Sequence, residues 1–456
     1  MNDNIILNTD SYKMGHYPLY PDTCIYMQSY LESRCEKSQK LVYFGLQYIM
    51  KRYFEGVVVT ENDVYEAYEF ANKHFGRNDV FNLEGWLYIA RDLGGKLPIR
   101  IYSLPEGTIT HANRPLVVVE STDPKVFWIV NYIESILSKL WYSISVATNS
   151  YEIKKVLDKY TKLTSTKELN LFGLHDFGDR GVSSSETAGI GAMSNLVNFM
   201  GSDTISGILY AQKYYNTSAM VGYNIPATEH SVMTSHLNGN SELKALKLLL
   251  KNYPDGLIAC VSDSYDIVKF IKKDIASLKN EILSRNGTLV IRPDSGDPVY
   301  TSKFVFNLLA DIFDAERNSK GYWVLNPKVR IIYGDGVNKQ TIEAILDNFY
   351  SYDISIDNII FGSGGALLQK FNRDTYKFAF KTCFMKHLVG NKVIESPIFK
   401  QPYEFDTKGN YSKSYKTSKS GDLLSKYNDL KLVFENGRLV NECTFEEVRS
   451  LASAEF

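Results

Sequence analysis

The sequence predicts an α/β protein: an irregular or incomplete α/β barrel joined to an additional α+β domain. Three observations carry that expectation. Between residues 169 and 365 a short apolar run is repeatedly followed by a polar loop rich in Asp, Ser and Gly and then by an amphipathic stretch, the pattern of alternating strands and helices. Roughly seven such units occur, every polar loop follows a strand, and in a barrel those strand ends converge on one mouth. No Gly-x-Gly-x-x-Gly follows a first strand, which disfavours an open doubly wound sheet. At 456 residues the chain exceeds one ordinary core. A barrel domain over 161–369 is expected, with a discontinuous α+β domain from 1–160 and 370–456.

Taken in chain order, the segment before the barrel combines helices near 60–74 and 126–144 with alternating, antiparallel-type strands at 107–110 and 116–120. Barrel strands are expected at 169–174, 257–261, 288–291, 329–333 and 358–361. Weaker ones are expected before Gly201-Ser202-Asp203 and before Pro226-Ala227-Thr228-Glu229-His230. Helices are expected at 264–283, 302–313 and 339–349. Beyond residue 375 the chain is strand-like, with hairpin turns at Gly390-Asn391, Lys408-Gly409-Asn410 and Asn436-Gly437. The polar stretch 400–421, rich in Lys, Ser and Tyr, reads as a mobile loop.

Composition narrows the function. Lys and Arg total 51 against 52 Asp and Glu, so a net charge of -1 gives no general attraction to nucleic acid or an anionic membrane. Phosphate binding, if present, is local. Met1-Asn2-Asp3-Asn4 opens no basic-then-apolar leader, and no run approaches the roughly 18 apolar residues of a membrane span. Five scattered cysteines without a Cys-x-x-Cys pair argue against a disulfide framework or a zinc knuckle. A soluble cytoplasmic protein is expected.

The strongest local signal is Leu174 to Asn198, LHDFGDRGVSSSETAGIGAMSNLVN. A strand ends at His175-Asp176-Phe177, and a loop with Arg180 leads to Ser183, Ser184 and Ser185, with Glu186 and Thr187 close behind. Such a helix start suits an anion: its amides are unpaired, the dipole is positive there, and Arg180 adds a fork of donors. Arg292-Pro293-Asp294-Ser295-Gly296 puts a cation and a carboxylate two residues apart at another strand end, suited to a phosphate and to sugar hydroxyls or a metal. The plain alternative is a salt-bridged turn. Gly334-Asp335-Gly336 and Gly362-Ser363-Gly364-Gly365 follow successive late strands, where glycines let amides approach a phosphate. His230 follows another strand, with Asp266 or Glu229 as candidates to fix its tautomer. Asp203 reads by default as a helix cap.

Along nearly its whole length the chain resembles the nicotinamide phosphoribosyltransferases. The resemblance runs through Thr9-Asp10-Ser11-Tyr12-Lys13, the segment just quoted, Gly201-Ser202-Asp203-Thr204, Glu229-His230-Ser231, Val261-Ser262-Asp263-Ser264-Tyr265-Asp266, the Arg-Pro-Asp-Ser-Gly loop, the two glycine loops and Arg373-Asp374. It implies transfer of phosphoribose from 5-phosphoribosyl 1-pyrophosphate to nicotinamide by a homodimer with active sites at the subunit interface. It implies Phe177 beneath the nicotinamide ring, Tyr12 of a second subunit above it, and Asp203 on the amide. Arg180, Arg292 and His230 would surround the pyrophosphate, Asp294 the ribose, and Gly334, Asp335, Gly364 and Gly365 the 5′-phosphate. Ser262 and Asp266 belong to the implied substrate positions, and Asp10, Arg34, Arg373 and Lys381 to phosphate contacts from the second subunit. Mg2+ and ATP are implied cofactors, ATP acting through phosphorylation of His230. Glu395 falls near a place where the family's mobile loop carries a lysine, and Lys400 and Lys408 do not align, so weaker ATP stimulation is expected. A nicotinate-specific enzyme, an inactive nucleotide-binding barrel and a sugar-phosphate aldolase or isomerase are the alternatives. Asp203 opposes the first, the intact charged set the second, and the lack of a lysine at a clear strand end the third.

Overall fold

The computed structural model describes residues 4–237, 239–413 and 418–455. The chain divides into two compact units, one comprising the residues up to Ser145 with Lys213–Thr217 and Phe371–Ala454, the other Val146–Gln212 and Ser218–Lys370 with Glu455.

The first unit is built on a seven-stranded sheet in the order Lys392–Pro397, Phe378–Val389, Cys24–Ser33, Pro115–Ser121, Ile99–Ser103, Lys431–Glu435, Arg438–Leu439. All its pairings are antiparallel. The Gly390-Asn391 and Asn436-Gly437 turns close hairpins of this sheet, and Gly390, Asn436 and Gly437 take the positive φ such turns require. Helix Glu61–Phe75 starts at a Thr60–Asp63 capping box and ends at Gly76 with φ of 66°. The single helix expected over 126–144 is instead two short turns, Ile129–Tyr132 and Glu134–Leu137, before the long helix Leu140–Thr164 begins. The stretch 400–421 contains a small hairpin, Tyr403–Phe405 with Tyr411–Lys413, and its residues 414–417 lie outside the described set.

The second unit holds six parallel strands in the order Gly201–Ser202, Leu174–Asp176, Ile359–Ser363, Val329–Tyr333, Asn286–Arg292, Asp255–Val261. Its edges meet through residues 223–228. Tyr223 bridges Gly201 on one edge, and Ala227 bridges Ala259 on the other. The bonds are Tyr223 N–H to Met200 at 2.8 Å, Ser202 N–H to Tyr223 at 3.0 Å, Thr228 N–H to Ala259 at 3.1 Å and Ala259 N–H to Pro226 at 2.9 Å. Pro226 has no N–H to give, so this seventh segment never becomes a regular strand. Ala259, Val290 and Ile332 fill the interior, with Ile225, Ile360 and Phe177 packed against them.

Two expectations need correction here. The strand expected at 169–174 begins only at Leu174, and the residues before it form a turn in which Gly173 N–H bonds Asn170 at 2.8 Å. The helix expected over 264–283 is broken into Ile267–Lys269, a π-helical turn Phe270–Ile275, and Lys279–Ser284. Phe270, Ile271 and Ile275 are buried, a spacing that an apolar pattern of this length supports equally for either turn. Toward the N-terminal ends of the barrel strands, opposite the polar loops, lies a cavity of about 600 Å³ lined by Phe172, His175, Tyr223, Ile225, Arg330 and Ile356 among others. Among the described residues no helix is long and apolar enough to cross a membrane.

Candidate active site

The polar loops of the second unit bring together the Phe177 ring, a cluster of polar side chains around His230, and the packed Arg180 and Gly364-Gly365 loops. Phe177 leaves its strand with its N–H bonded to Ser363 at 2.9 Å, and its ring caps the inner apolar layer. Gly362 makes this possible, because a Cβ there would overlap the ring, and a Cβ on Gly334 would lie 3.2 Å from it. The Arg292 guanidinium stands 5.1 Å from the ring centre in cation–π contact. Asp203 follows the neighbouring strand, and its N–H bonds the Asp176 carbonyl at 2.9 Å. Its exposed carboxylate accepts from the Asn224 amide, while Asn224 Oδ1 accepts Ile225 N–H at 2.8 Å. Partial removal from water pushes the Asp203 carboxyl up, and Arg292, Asn224 and Arg180 pull it back.

His230 opens the short helix His230–Thr234. Its Nδ1 lies 3.2 Å from the Ser264 hydroxyl, and its Nε2 lies 3.5 Å from Asp294 Oδ2 and 3.9 Å from Asp263 Oδ1. The groups expected to fix the ring are elsewhere. Asp266 caps the next helix through Lys269 N–H at 3.0 Å, and Glu229 accepts the Ser231 hydroxyl. Asp263 is the residue that sequence reasoning missed; it lies in the same Ser-Asp-Ser-Tyr-Asp run as Asp266, two positions past the strand end. Asp263 Oδ2 accepts from Asp294 N–H at 2.9 Å and from the Ser295 hydroxyl at 2.5 Å. Its buried Oδ1 has no hydrogen-bond partner among the described residues. Arg292 Nη2 and Asp294 Oδ1 pair at 2.9 Å, so the salt bridge and the mouth position hold together. Ser262 is fully buried, and its hydroxyl joins the Cys260 carbonyl at 2.9 Å to the Arg292 N–H at 3.1 Å, which places it behind Arg292.

Arg180 is exposed on the single turn Asp179–Gly181. The helix Ser185–Asn195 that follows has Ser184 as its cap, the Ser184 hydroxyl accepting Thr187 N–H at 3.1 Å and Thr187 Oγ1 accepting Ser184 N–H at 2.9 Å. A Cβ on Gly181 would lie 2.9 Å from the Gly365 nitrogen, so the Arg180 loop and the Gly364-Gly365 loop are packed together. Gly334 and Asp335 end the strand Val329–Tyr333, next but one to the strand that carries Phe177.

The remaining expected residues belong to the first unit. Tyr12 is exposed, edge-on to His16 at 4.7 Å. Asp10 accepts from Ser135 at 2.5 Å. Arg34 Nε pairs with Glu32 at 3.1 Å while its buried Nη2 has no partner among the described residues. Arg373 lies 3.7 Å from Asp374. Burial pushes the Lys381 ammonium down; Arg34, Lys400 and Arg373 push the same way against Glu134. Lys400, which has no clear counterpart in the sequence pattern, thus joins a cationic cluster with Lys381. Glu395 pairs with Lys386 at 3.3 Å. Among the described residues no group of three or more His, Cys, Asp or Glu is arranged to hold a metal ion; Asp263 and Asp294 are the two carboxylates drawn together beside His230 and Arg292. Two carboxylates suit Mg2+, which ordinarily keeps waters and substrate phosphates as its other ligands.

The nicotinate phosphoribosyltransferase family profile matches residues 172–436, and that of the nicotinamide phosphoribosyltransferase N-terminal domain matches residues 4–101. A nicotinamide phosphoribosyltransferase of Xanthomonas campestris is 40% identical over 99% of this chain and 98% of its own length. One of Acinetobacter baylyi is 31% identical over 96% and 95%. Human nicotinic acid phosphoribosyltransferase shares the fold at a TM-score of 0.60 and 14% identity, covering 97% of this chain and 92% of that one. A nicotinate-nucleotide pyrophosphorylase of Pyrococcus furiosus does so at 0.56 and 16%, covering 99% and 95%. With a profile spanning more than half its length and a relative matched almost end to end, the chain belongs to the nicotinate phosphoribosyltransferase family, on the nicotinamide phosphoribosyltransferase branch.

Proposed function

We infer that the chain is a nicotinamide phosphoribosyltransferase, joining nicotinamide to 5-phosphoribosyl 1-pyrophosphate to give nicotinamide mononucleotide and pyrophosphate for NAD synthesis. The carrying observation is Asp203, a carboxylate at the mouth beside the Phe177 ring layer, held by Asn224. A carboxylate accepts a hydrogen bond from an amide nitrogen and repels a carboxylate, so it favours nicotinamide over nicotinate. A hydrogen bond to a charged group contributes about 1.5–3 kcal/mol, roughly tenfold to more than a hundredfold in affinity. Phe177 stacks the base, and Tyr12 of a second subunit covers it.

Breaking the bond from the anomeric carbon to pyrophosphate builds positive charge on the ribose and negative charge on the leaving group. Arg180 and Arg292 stabilise the departing pyrophosphate, while Asp294 holds ribose hydroxyls. The nicotinamide nitrogen attacks the opposite face and needs no deprotonation, so positioning and charge, not a general base, carry the rate. The amides of Gly334, Asp335, Gly364 and Gly365 take the 5′-phosphate, and Asp10, Arg34, Arg373 and Lys381 add charge from a second subunit of a homodimer. Asp263 and Asp294 would hold Mg2+, which when bound neutralises pyrophosphate charge. ATP phosphorylates His230, and the enzyme works in the cytoplasm.

The test is nucleotide formation by purified protein with phosphoribosyl pyrophosphate and Mg2+, offered nicotinamide or nicotinate, each with and without ATP. The expected product is nicotinamide mononucleotide alone, with ATP raising its yield. Nicotinate mononucleotide would move the chain to the sister activity, and no product at all would return it to a binding role. Asp203→Ser should admit nicotinate, and an unchanged substrate ratio would remove Asp203 from the selectivity account.

A further inference from the structure

We propose that Asp176 is the positioning residue for base selectivity: one buried side chain ties the loop that carries Phe177 to the loop that carries Asp203. The inference rests on the roles given to those two residues above. Asp176 is fully buried at the end of its strand. Its Oδ1 accepts the Gly178 N–H at 2.7 Å, directly after Phe177. Its Oδ2 accepts the Ser202 hydroxyl at 3.3 Å, directly before Asp203. Ser202 Oγ in turn accepts Thr204 N–H at 3.1 Å, directly after Asp203, and the Asp176 carbonyl takes the Asp203 N–H itself at 2.9 Å. The far flank of Phe177 and both flanks of Asp203 therefore hang on one residue.

The choice of side chain carries the argument further. Among the described residues the partners of this carboxyl group are N–H and O–H donors, with no cation beside it. Burying a carboxyl without a counter-charge is unfavourable, so packing alone would be served better by an uncharged residue. What the position needs is two acceptor oxygens facing donors on two different loops. Asparagine has one acceptor and would turn its amide nitrogen toward one of those donors, and alanine has none. Reading a ring plane and an amide together requires the stacking and hydrogen-bonding groups to keep their spacing to about 0.5 Å, and this link spans just that interval. Asp176 touches no substrate; it acts through Phe177 and Asp203.

The test compares Asp176→Asn, Ser202→Ala and Asp203→Ser by steady-state kinetics with nicotinamide, nicotinate and phosphoribosyl pyrophosphate. For D176N the KM for nicotinamide should rise about tenfold and the preference over nicotinate fall alike, with the KM for phosphoribosyl pyrophosphate within about twofold of the parent. For S202A, which removes one link and little volume, the same split should appear at about threefold. A structural role alone would lower kcat or thermal stability without separating the two KM values. Unchanged nicotinamide KM and substrate ratio in both variants overturn the proposal, and so does an equal rise in both KM values. If D176N does not fold, S202A decides, and parental constants there overturn it. D203S separates the two levels. If D203S leaves selectivity unchanged, the base-site reading fails; if D203S alters it while D176N and S202A do not, only the positioning role falls.

Discussion

Gly362 shapes the platform by what it lacks. Its strand runs beneath the Phe177 ring so closely that a methyl group would displace it. Gly362→Ala should therefore raise the KM for nicotinamide about three- to tenfold, the stacking contribution of one aromatic pair, and leave that for phosphoribosyl pyrophosphate near its parental value; steady-state kinetics checks both. His175 and Asp176 are neighbours whose titrations oppose each other. Burial lowers His175 to about 4 and raises Asp176 to about 6. The histidine is neutral in the fold, so it withdraws stability as pH falls from its unfolded value of about 6.5 toward 4. The carboxyl is protonated more readily in the fold than when unfolded, so its contribution is present below about 3.8 and lost as pH rises through about 6. Asp176→Asn removes only the second effect. Acidification from pH 7 to 4.5 should thus destabilise the variant more than the parent, by an amount on the order of 2 kcal/mol, read as the pH dependence of the melting-temperature difference; a difference independent of pH would contradict it. Neither burial is legible in the sequence, since polar residues at a strand end are more often exposed. Asp263 escaped for a related reason, because nothing in its run distinguishes an inward carboxylate from the helix cap three residues on.

Elements were more legible than single side chains. The strands at 257–261, 288–291, 329–333 and 358–361 emerge within two residues of their observed limits, because a continuous apolar run ended by Asp, Ser and Gly has one natural reading. Hairpins were legible through their turns, which need the positive φ that Gly and Asn supply. Periodicity failed where one turn changes width or a helix restarts, at 267–284 and 129–164, since three or four residues hold too little pattern to tell. The start of helix Ser185–Asn195 was legible from its hydroxyls, and Ser184 is the cap that fixes it. Ser184→Ala should cost about 1 kcal/mol locally by freeing Thr187 N–H. Because the Arg180 turn leads directly into this cap, the KM for phosphoribosyl pyrophosphate should rise several-fold while that for nicotinamide holds; an unchanged value would show that the first turn stands without it.

At the scale of the whole molecule, a charge balance near zero means that recognition of a highly charged sugar phosphate depends on local clusters rather than on a general field. The family, the mixed architecture, the gathering of strand-end loops and a weaker strand near Pro226 were legible because they follow from order along the chain; how lightly that segment closes the ring was not, since residues 223–228 make only scattered bridges. That closure gives the barrel a seam. Where the other strands share ladders, this one is fastened by a few amides, and local opening favours such places. In deuterated buffer the amides of Tyr223 and Thr228 should exchange well before those of Val290 and Ile331 in the central ladder, and equal protection would show the seam to be as firm as the rest. Asn224 lies in that seam and holds Asp203. Opening of the ring there would free Asp203 from Asn224, so on the selectivity proposed for Asp203 nicotinate should gain ground wherever the seam is loosened, and a substrate ratio that stays fixed would contradict it.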